Sequence, residues 1–207
     1  MDEAYWSAVR TLRLGIADLL DTLTPAEWDA PSLCRGWRIR DVAGHLAIIP
    51  TITTWDLLAA APRAGFNLHR VNTAVAVKHG SARPEAIVAA IREHADSRRN
   101  ALVLSARDTL FDLAVHSQDI AVPLGRDFPV PAEVSRQGLR RVWAMGWPFN
   151  ARRRLAGLTL RATDADWTVG TGPEVSGPAL SLLLLLTGRT ATVVDALDGR
   201  GVARLRS

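Results

Sequence analysis

The chain has 207 residues, of which 48% are hydrophobic, and a formal net charge of +4 at pH 7. This composition is typical of a globular protein with a sizeable core, and the single cysteine, Cys34, excludes an intrachain disulfide. The sequence has no apolar run of roughly 18 residues or more that could cross a bilayer, and its N-terminus lacks the pattern of a signal peptide. We therefore expect a cytoplasmic protein.

The first two thirds of the chain predict a succession of helices. Apolar side chains from Val9 to Leu23 recur at helical spacing, and Thr24–Glu27 has the pattern of a capping box with proline at the first helical position. A third helix begins near Trp37, and Pro50 should kink or end it. Further helices are expected over residues 67–79, 84–104, 110–120 and 131–145.

The composition changes near residue 150. Alternating side chains over 158–163 and a short run over 167–169 predict two strands, and the apolar run 178–187 predicts a helix closed by Gly188. The predicted fold is mainly α: an up-and-down helical bundle over residues 1–150, followed by a small α/β domain over residues 151–207.

The predicted helix over 110–120 carries a polar stripe. Asp112 and His116 are four residues apart and lie on one face, and Asp119, three residues after His116, extends that stripe. Apolar neighbours flank these side chains on both sides. Because burying them without partners would cost several kcal/mol, we expect a cation or a hydrogen-bond network around them.

A third candidate ligand comes from the preceding part of the chain. His45 shares the apolar face of its predicted helix with Val42 and Leu46. Two imidazoles and a carboxylate on facing helices form the ligand set of catalytic zinc sites, and non-haem iron uses the same ligand types. The alternative without a metal ion is that His45 is a hydrogen-bonded core residue. Asp112 and His116 would then form an ion pair along their helix, which stabilises it by a few tenths of a kcal/mol.

Three further features of the sequence each allow two interpretations. Gln118 or Asp119 would orient a ligand imidazole through a hydrogen bond if the ion is present. Cys34 could be a nucleophile or a thiolate ligand, although a small buried hydrophobe is the more common role. A cluster of arginines forms either a solvated face or a surface for an anionic ligand or nucleic acid. The cluster comprises Arg136, Arg140, Arg141, Arg152, Arg153, Arg154 and Arg161.

Several segments resemble a known family in the order in which that family has them. Trp28, then 34–37 (Cys-Arg-Gly-Trp) and 40–46 (Arg-Asp-Val-Ala-Gly-His-Leu), resemble the N-terminal signature of the mycothiol-dependent maleylpyruvate isomerase family, part of the DinB-like superfamily. Residues 112–125 resemble its second signature, and segments within 162–189 resemble its small C-terminal domain. The resemblance covers nearly the whole chain.

The resemblance implies a DinB-like bundle that holds one divalent metal ion, usually zinc, and activates mycothiol as a thiol cosubstrate. By position, His45 and His116 match the family's histidine ligands, and Asp112 stands where the family usually has glutamate. Because aspartate is one methylene shorter, the ion could be held through water, weakly, or not at all. Arg189 matches an arginine that helps to bind the anionic substrate and is our candidate catalytic residue; an arginine at a helix end is otherwise a favourable charge there.

The function expected from this resemblance is a metal-dependent, mycothiol-using isomerase or S-transferase acting on a small, electrophilic, anionic substrate. The expected partners are that electrophile and the thiol, with no membrane and no nucleic acid, and a homodimer is left open. The alternative is a non-catalytic module that binds a small ligand or a protein on a degenerate DinB-like bundle.

Overall fold

The computed structural model describes residues 1–60, 62, 65, 67–99 and 105–206. Its helices and strands follow one another in a fixed order along the chain. They are α1 (Glu3–Asp21), α2 (Pro25–Trp28), α3 (Ile39–Ile48), α4 (Thr54–Ala60), α5 (Leu68–Gly80), α6 (Pro84–Glu93), α7 (Thr109–Ala121), α8 (Ala132–Ala144), α9 (Ala151–Arg154), β1 (Thr159–Ala162), β2 (Thr168–Gly170), β3 (Glu174–Gly177), α10 (Ala179–Leu186) and α11 (Thr190–Val193).

The chain divides into two compact units. The first comprises residues 1–109 and 116–128, and the second comprises residues 110–115 and 129–207. Helix α7 is continuous and contributes residues to both units. The domain boundary predicted near residue 150 stays a prediction, since these units are defined by packing alone.

Helices α1 and α2 of the first unit begin where the sequence predicts. Asp2 caps α1 by accepting a hydrogen bond from the amide of Tyr5, and Val9, Ile16 and other apolar side chains of α1 are buried. The predicted capping box at α2 is confirmed, because the side chain of Thr24 and that of Glu27 each accept from the other's backbone amide.

Pro50 marks a helix boundary rather than a kink. Helix α3 ends at Ile48, and α4 begins separately at Thr54, after Thr53 and Asp56 have formed reciprocal hydrogen bonds at its start. The missing amide of proline and its clash with the preceding turn explain why the helix stops. Helix α5 follows, with Asn67 as its N-cap.

The helix predicted over 84–104 is shorter in the structure. Helix α6 ends at Glu93, and residues 100–104 lie outside the described residues. The buried guanidinium of Arg13 on α1 donates hydrogen bonds to the carbonyls of His94, Ala95 and Ser97. These bonds satisfy carbonyls of the segment that follows the helix end and hold that segment against α1.

The second unit contains a three-stranded sheet in the order β2-β1-β3. Strand β1 is antiparallel to β2 and parallel to β3, with Leu160 opposite Val169 on one side and Val175 on the other. The sequence predicted β1 and β2 but missed β3. Only four residues long, β3 lies between Pro173 and Pro178, where turn residues obscure the strand pattern.

Helix α10 lies at the centre of the second unit. All residues from Leu182 to Leu186 are buried, as expected of a helix that is apolar on every side. Gly138 on α8 allows close packing, because a Cβ there would lie 2.8 Å from Leu183 Cδ2. At the C-terminal end of α10, Arg154 donates to the carbonyls of Leu185 and Leu186.

The predicted fold class, mainly α with a small α/β part at the C-terminal end, is confirmed by this architecture. Within the described residues, none of the helices is both long and apolar enough to span a bilayer.

Candidate metal centre

The entry to α3 fixes the position of His45. Asp41, 2% exposed, accepts hydrogen bonds from the backbone amide of Arg38 (2.9 Å) and from its guanidinium (3.1 and 3.2 Å). Arg40 in turn donates to the carbonyl of Gly80, which ties α3 to the end of α5 (2.7 Å). His45 follows one turn after Asp41 and is 8% exposed.

Helix α7 supplies two further donors at the predicted spacing. Asp112 lies in its first turn, and His116 follows one turn later with a side chain that is 12% exposed. The rings of His45 and His116 are 5.0 Å apart between centroids and nearly perpendicular, at 73°. Side chains from two separate helices therefore approach each other as the sequence predicted.

The three predicted ligands come together. One ligand atom each from His45, Asp112 and His116 lies within 4.8 Å of the other two. Some point is then no more than about 2.8 Å from all three atoms, compared with about 2.0–2.2 Å for zinc bonds to nitrogen and oxygen. Small side-chain movements would close that difference, so the donor set fits a divalent ion, and its use for that purpose stays a prediction.

Behind His116 lies a second group of polar side chains. Nδ1 of His116 is 2.8 Å from Oδ2 of Asp119, whose side chain is fully buried. If Asp119 is ionised, it can only accept a hydrogen bond, so the hydrogen of this contact would lie on Nδ1 and the lone pair on Nε2. Of the two residues expected to orient a ligand imidazole, Asp119 contacts the ring of His116, whereas Gln118 donates to the carbonyl of Phe128.

Cys34 belongs to this group, which sequence reasoning did not favour. Its Sγ lies 3.0 Å from Oδ2 of Asp119 and 3.7 Å from Nδ1 of His116. The thiol is partly exposed rather than a buried hydrophobe. The sequence signal for the place of Cys34 near His116 is the Cys-Arg-Gly-Trp segment. The same four residues end in Trp37, whose ring also lies beside the candidate histidines.

Trp37 contacts both candidate histidine ligands. Its ring lies parallel to that of His116, at 13° and 6.3 Å between centroids, and edge-on to that of His45 at 5.4 Å. Trp37 is 6% exposed, and its indole nitrogen donates to Thr73. The largely buried indole therefore lies beside both imidazoles.

Arg189, the candidate catalytic residue, lies in the second unit as the N-cap of α11. Its guanidinium donates to the carbonyl of Thr187 (2.7 Å), and its side chain is partly buried. Its role in substrate binding stays a prediction.

Comparison with known families decides the affiliation of the chain. The profile of the mycothiol maleylpyruvate isomerase N-terminal domain matches residues 9–121, more than half of the sequence and all the residues of the candidate centre. The chain belongs to this family. The predicted membership is thus confirmed, and it indicates an enzyme of the isomerase or transferase type.

Solved structures of the family have the same fold. The crystal structure of the mycothiol-dependent maleylpyruvate isomerase, and that of a mutant of it, each match with a TM-score of 0.64 and 13% identity over 96% of this chain and 92% of theirs. No curated protein matches the sequence. At this identity the likeness establishes the fold and leaves the reaction to be argued from the site.

Proposed function

We propose that this protein binds one divalent metal ion through His45, Asp112 and His116 and uses it to activate mycothiol for isomerisation or S-transfer on a small electrophile. Zinc is the ion that best suits two imidazoles and a carboxylate with a vacant position. The observation that carries the proposal is the approach of these three donors within 4.8 Å on two helices of a chain from this family.

The ion, when bound, would lower the pKa of a thiol at its vacant position and so supply a thiolate near neutral pH. The residues of this chain hold the ion and orient the groups around it. Asp119 fixes the tautomer of His116 through its 2.8 Å contact, and Trp37 lies beside both imidazoles. Arg189 is proposed to pair with the negative charge of the substrate.

In an isomerisation the thiolate adds to a cis double bond, the bond between the two carbons rotates in the adduct, and elimination releases the thiolate with the trans product. The thiol is regenerated, so no oxidant or reductant is consumed. In an S-transfer the thioether product is retained instead. The same centre serves both outcomes, because both begin with attack by the thiolate.

The test is elemental analysis of protein purified without chelators, combined with an assay of mycothiol-dependent conversion of maleylpyruvate. Wild type should carry close to one metal ion per chain, and His116→Ala should lose both metal and activity. His69→Ala, which removes an exposed imidazole from α5, is the matched control and should retain both. Full metal content and full activity in His116→Ala would contradict the proposal.

The non-catalytic alternative rests on Asp112, which stands where glutamate is usual in the family. It expects a bundle with no stoichiometric metal and no thiol-dependent turnover in the same experiment. The nucleic-acid reading of the arginine cluster is weakened, because Arg136 pairs with Glu133 and Arg161 pairs with Glu174. A homodimer remains a proposal, which a measurement of the molecular mass in solution would test.

A further inference from the structure

Cys34, Asp119 and His116 form a compact group on the side of the imidazole away from Nε2. A single atom, Oδ2 of Asp119, is 3.0 Å from Cys34 Sγ and 2.8 Å from His116 Nδ1. The carboxylate is fully buried, so its environment consists of protein groups rather than bulk water. The three side chains have the donor types of a metal site and equally those of a hydrogen-bond relay.

The distances decide between these two arrangements. Around a tetrahedral zinc ion, a bound nitrogen and a bound oxygen are about 3.3 Å apart, and a bound sulfur and oxygen are about 3.5 Å apart. The observed separations of 2.8 and 3.0 Å are each about half an ångström shorter. They lie in the range of hydrogen bonds to an ionised acceptor, which favours a hydrogen-bond relay that shares His116 with the candidate metal centre.

We propose that Cys34 is a positioning residue of the metal centre. Its thiol donates to Oδ2 of Asp119 and holds that carboxylate against Nδ1 of His116, so that Nε2 keeps the lone pair needed by a ligand. This inference rests on the proposed function, because it assigns Cys34 a role in preparing the same imidazole for the ion.

The loop before α3 holds Cys34 in place for this contact. Oγ of Ser32 accepts from the amide of Cys34 (3.1 Å) and donates to the carbonyl of Trp37 (2.9 Å). The amide of Leu33 donates to the backbone carbonyl of Asp119 (3.2 Å), which joins the loop directly to α7. The thiol and the carboxylate are therefore fixed by backbone bonds on both sides of their contact.

Removing the thiol donor should loosen Asp119 and weaken metal binding. Loss of a hydrogen-bond partner behind a ligand imidazole typically costs 10- to 100-fold in metal affinity. Cys34 acts one bond further from the ion than Asp119, so we expect about a tenfold loss in Cys34→Ala and Cys34→Val, near the low end of that range. Cys34→Ser keeps a donor and should stay within about threefold of wild type.

Two measurements test the assignment. Zinc affinity is determined by competition with a chromogenic chelator, and the tautomer of His116 is read from ¹⁵N spectra of the metal-free protein. In wild type and Cys34→Ser the spectra should show hydrogen on Nδ1. In Cys34→Ala and Cys34→Val they should show a mixture of tautomers. Cys34→Val replaces the thiol with a slightly larger apolar side chain. Treatment of native wild type with methyl methanethiosulfonate, which converts the thiol to a mixed methyl disulfide and releases methanesulfinate, supplies the same loss of donor without any mutation.

The outcomes are separable from those of the proposed function. Wild-type affinity and wild-type spectra in both Cys34→Ala and Cys34→Val would overturn the positioning role. A thiolate-to-metal band in the cobalt-loaded wild type that disappears in Cys34→Ser would also overturn it, since Cys34 would then be a ligand. If wild type binds no zinc, the proposed function fails, whereas the spectra of the metal-free protein still decide whether Cys34 positions His116.

Discussion

Gly44 and Gly80 face each other where α3 and α5 pack, and neither position has room for a side chain. A Cβ on Gly44 would lie 2.3 Å from the backbone nitrogen of Gly80, and one on Gly80 would lie 2.7 Å from the carbonyl oxygen of Arg40. The obstacles are backbone atoms, which cannot move aside as a flexible side chain could. The two helices therefore depend on glycine at both positions, and Gly44 immediately precedes His45.

We expect Gly44→Ala to destabilise the protein by about 3 kcal/mol or more, the upper range for overpacked sites, because α3 must move away from α5. The shift would also displace His45 and lower metal affinity. Urea unfolding monitored by circular dichroism measures the first effect. Gly146→Ala is the control, since a Cβ there meets no atom closer than 4.0 Å; equal stability of the two variants would contradict the expectation.

Arg13 should be more important for stability than its charge suggests. Arg13→Met keeps an unbranched apolar stem but leaves the three carbonyls after α6 without their buried donor, and burial already lowers the pKa of this guanidinium. We expect a loss of about 2–3 kcal/mol in the free energy of unfolding.

The matched control for this change is Arg10→Met, one turn earlier on α1. Arg10 pairs with Asp96, and both side chains are more than half exposed (52% and 80%). Such a pair contributes less than about 1 kcal/mol. A loss in Arg13→Met no larger than that in Arg10→Met would show that the three carbonyls are satisfied in another way.

The length of the acid at position 112 should tune metal binding. Asp112→Ala removes one of three donors and should weaken zinc binding by more than about tenfold. Asp112→Glu adds one methylene, introduces the residue that the resemblance implies for this position, and should bind zinc at least as tightly as wild type. Calorimetric titration measures both. Zinc binding by Asp112→Ala as tight as that of wild type would contradict direct contact between this side chain and the ion.

Glu27 gives the stability a dependence on acidic pH. Its carboxylate accepts hydrogen bonds from the amide and hydroxyl of Thr24 and from Arg126, and the backbone bond from Thr24 is the main cause that lowers its pKa to about 2. Because the folded-state pKa is depressed, the stabilisation is complete above the ordinary value near 4.5 and is lost as the pH falls towards 2.

Glu27→Gln should therefore be less stable than wild type at pH 7, and the difference should shrink between pH 4.5 and pH 2. Thermal unfolding across this pH range measures it. Glu85→Gln makes the same chemical change on the exposed first turn of α6 and serves as the control. A difference for Glu27→Gln that does not vary with pH would contradict the assigned hydrogen bonds.

The sequence predicted those elements whose causes are local. The capping box at Thr24, the helix boundary at Pro50 and the spacing of Asp112 and His116 all follow from interactions within a few residues. The early end of α6 could not be predicted, because the carbonyls beyond it are satisfied by Arg13 from another helix. Cys34 was likewise assigned the wrong environment, since its neighbours come from α7.

The candidate ligands were predicted partly from helical spacing and partly from the resemblance to a family. Helical spacing links Asp112 to His116, but nothing local links either of them to His45, and the resemblance to a family supplied that connection. The ring of Trp37 between the two histidines depends on the path of a loop, which side-chain periodicity does not encode. Sequence patterns therefore predicted which candidate ligands approach one another, but they did not predict which side chains surround them.

The origin of the two histidines on helices distant in sequence has a thermodynamic consequence. In an unfolded chain His45 and His116 are far apart, so an ion that needs both of them binds only the folded protein and acts as a folding ligand. At a free concentration a hundred times its dissociation constant, such an ion adds about 2.7 kcal/mol to the unfolding free energy. The melting temperature should then rise when zinc is added and fall when a chelator is added. It would therefore report the fraction of protein molecules whose centre is occupied.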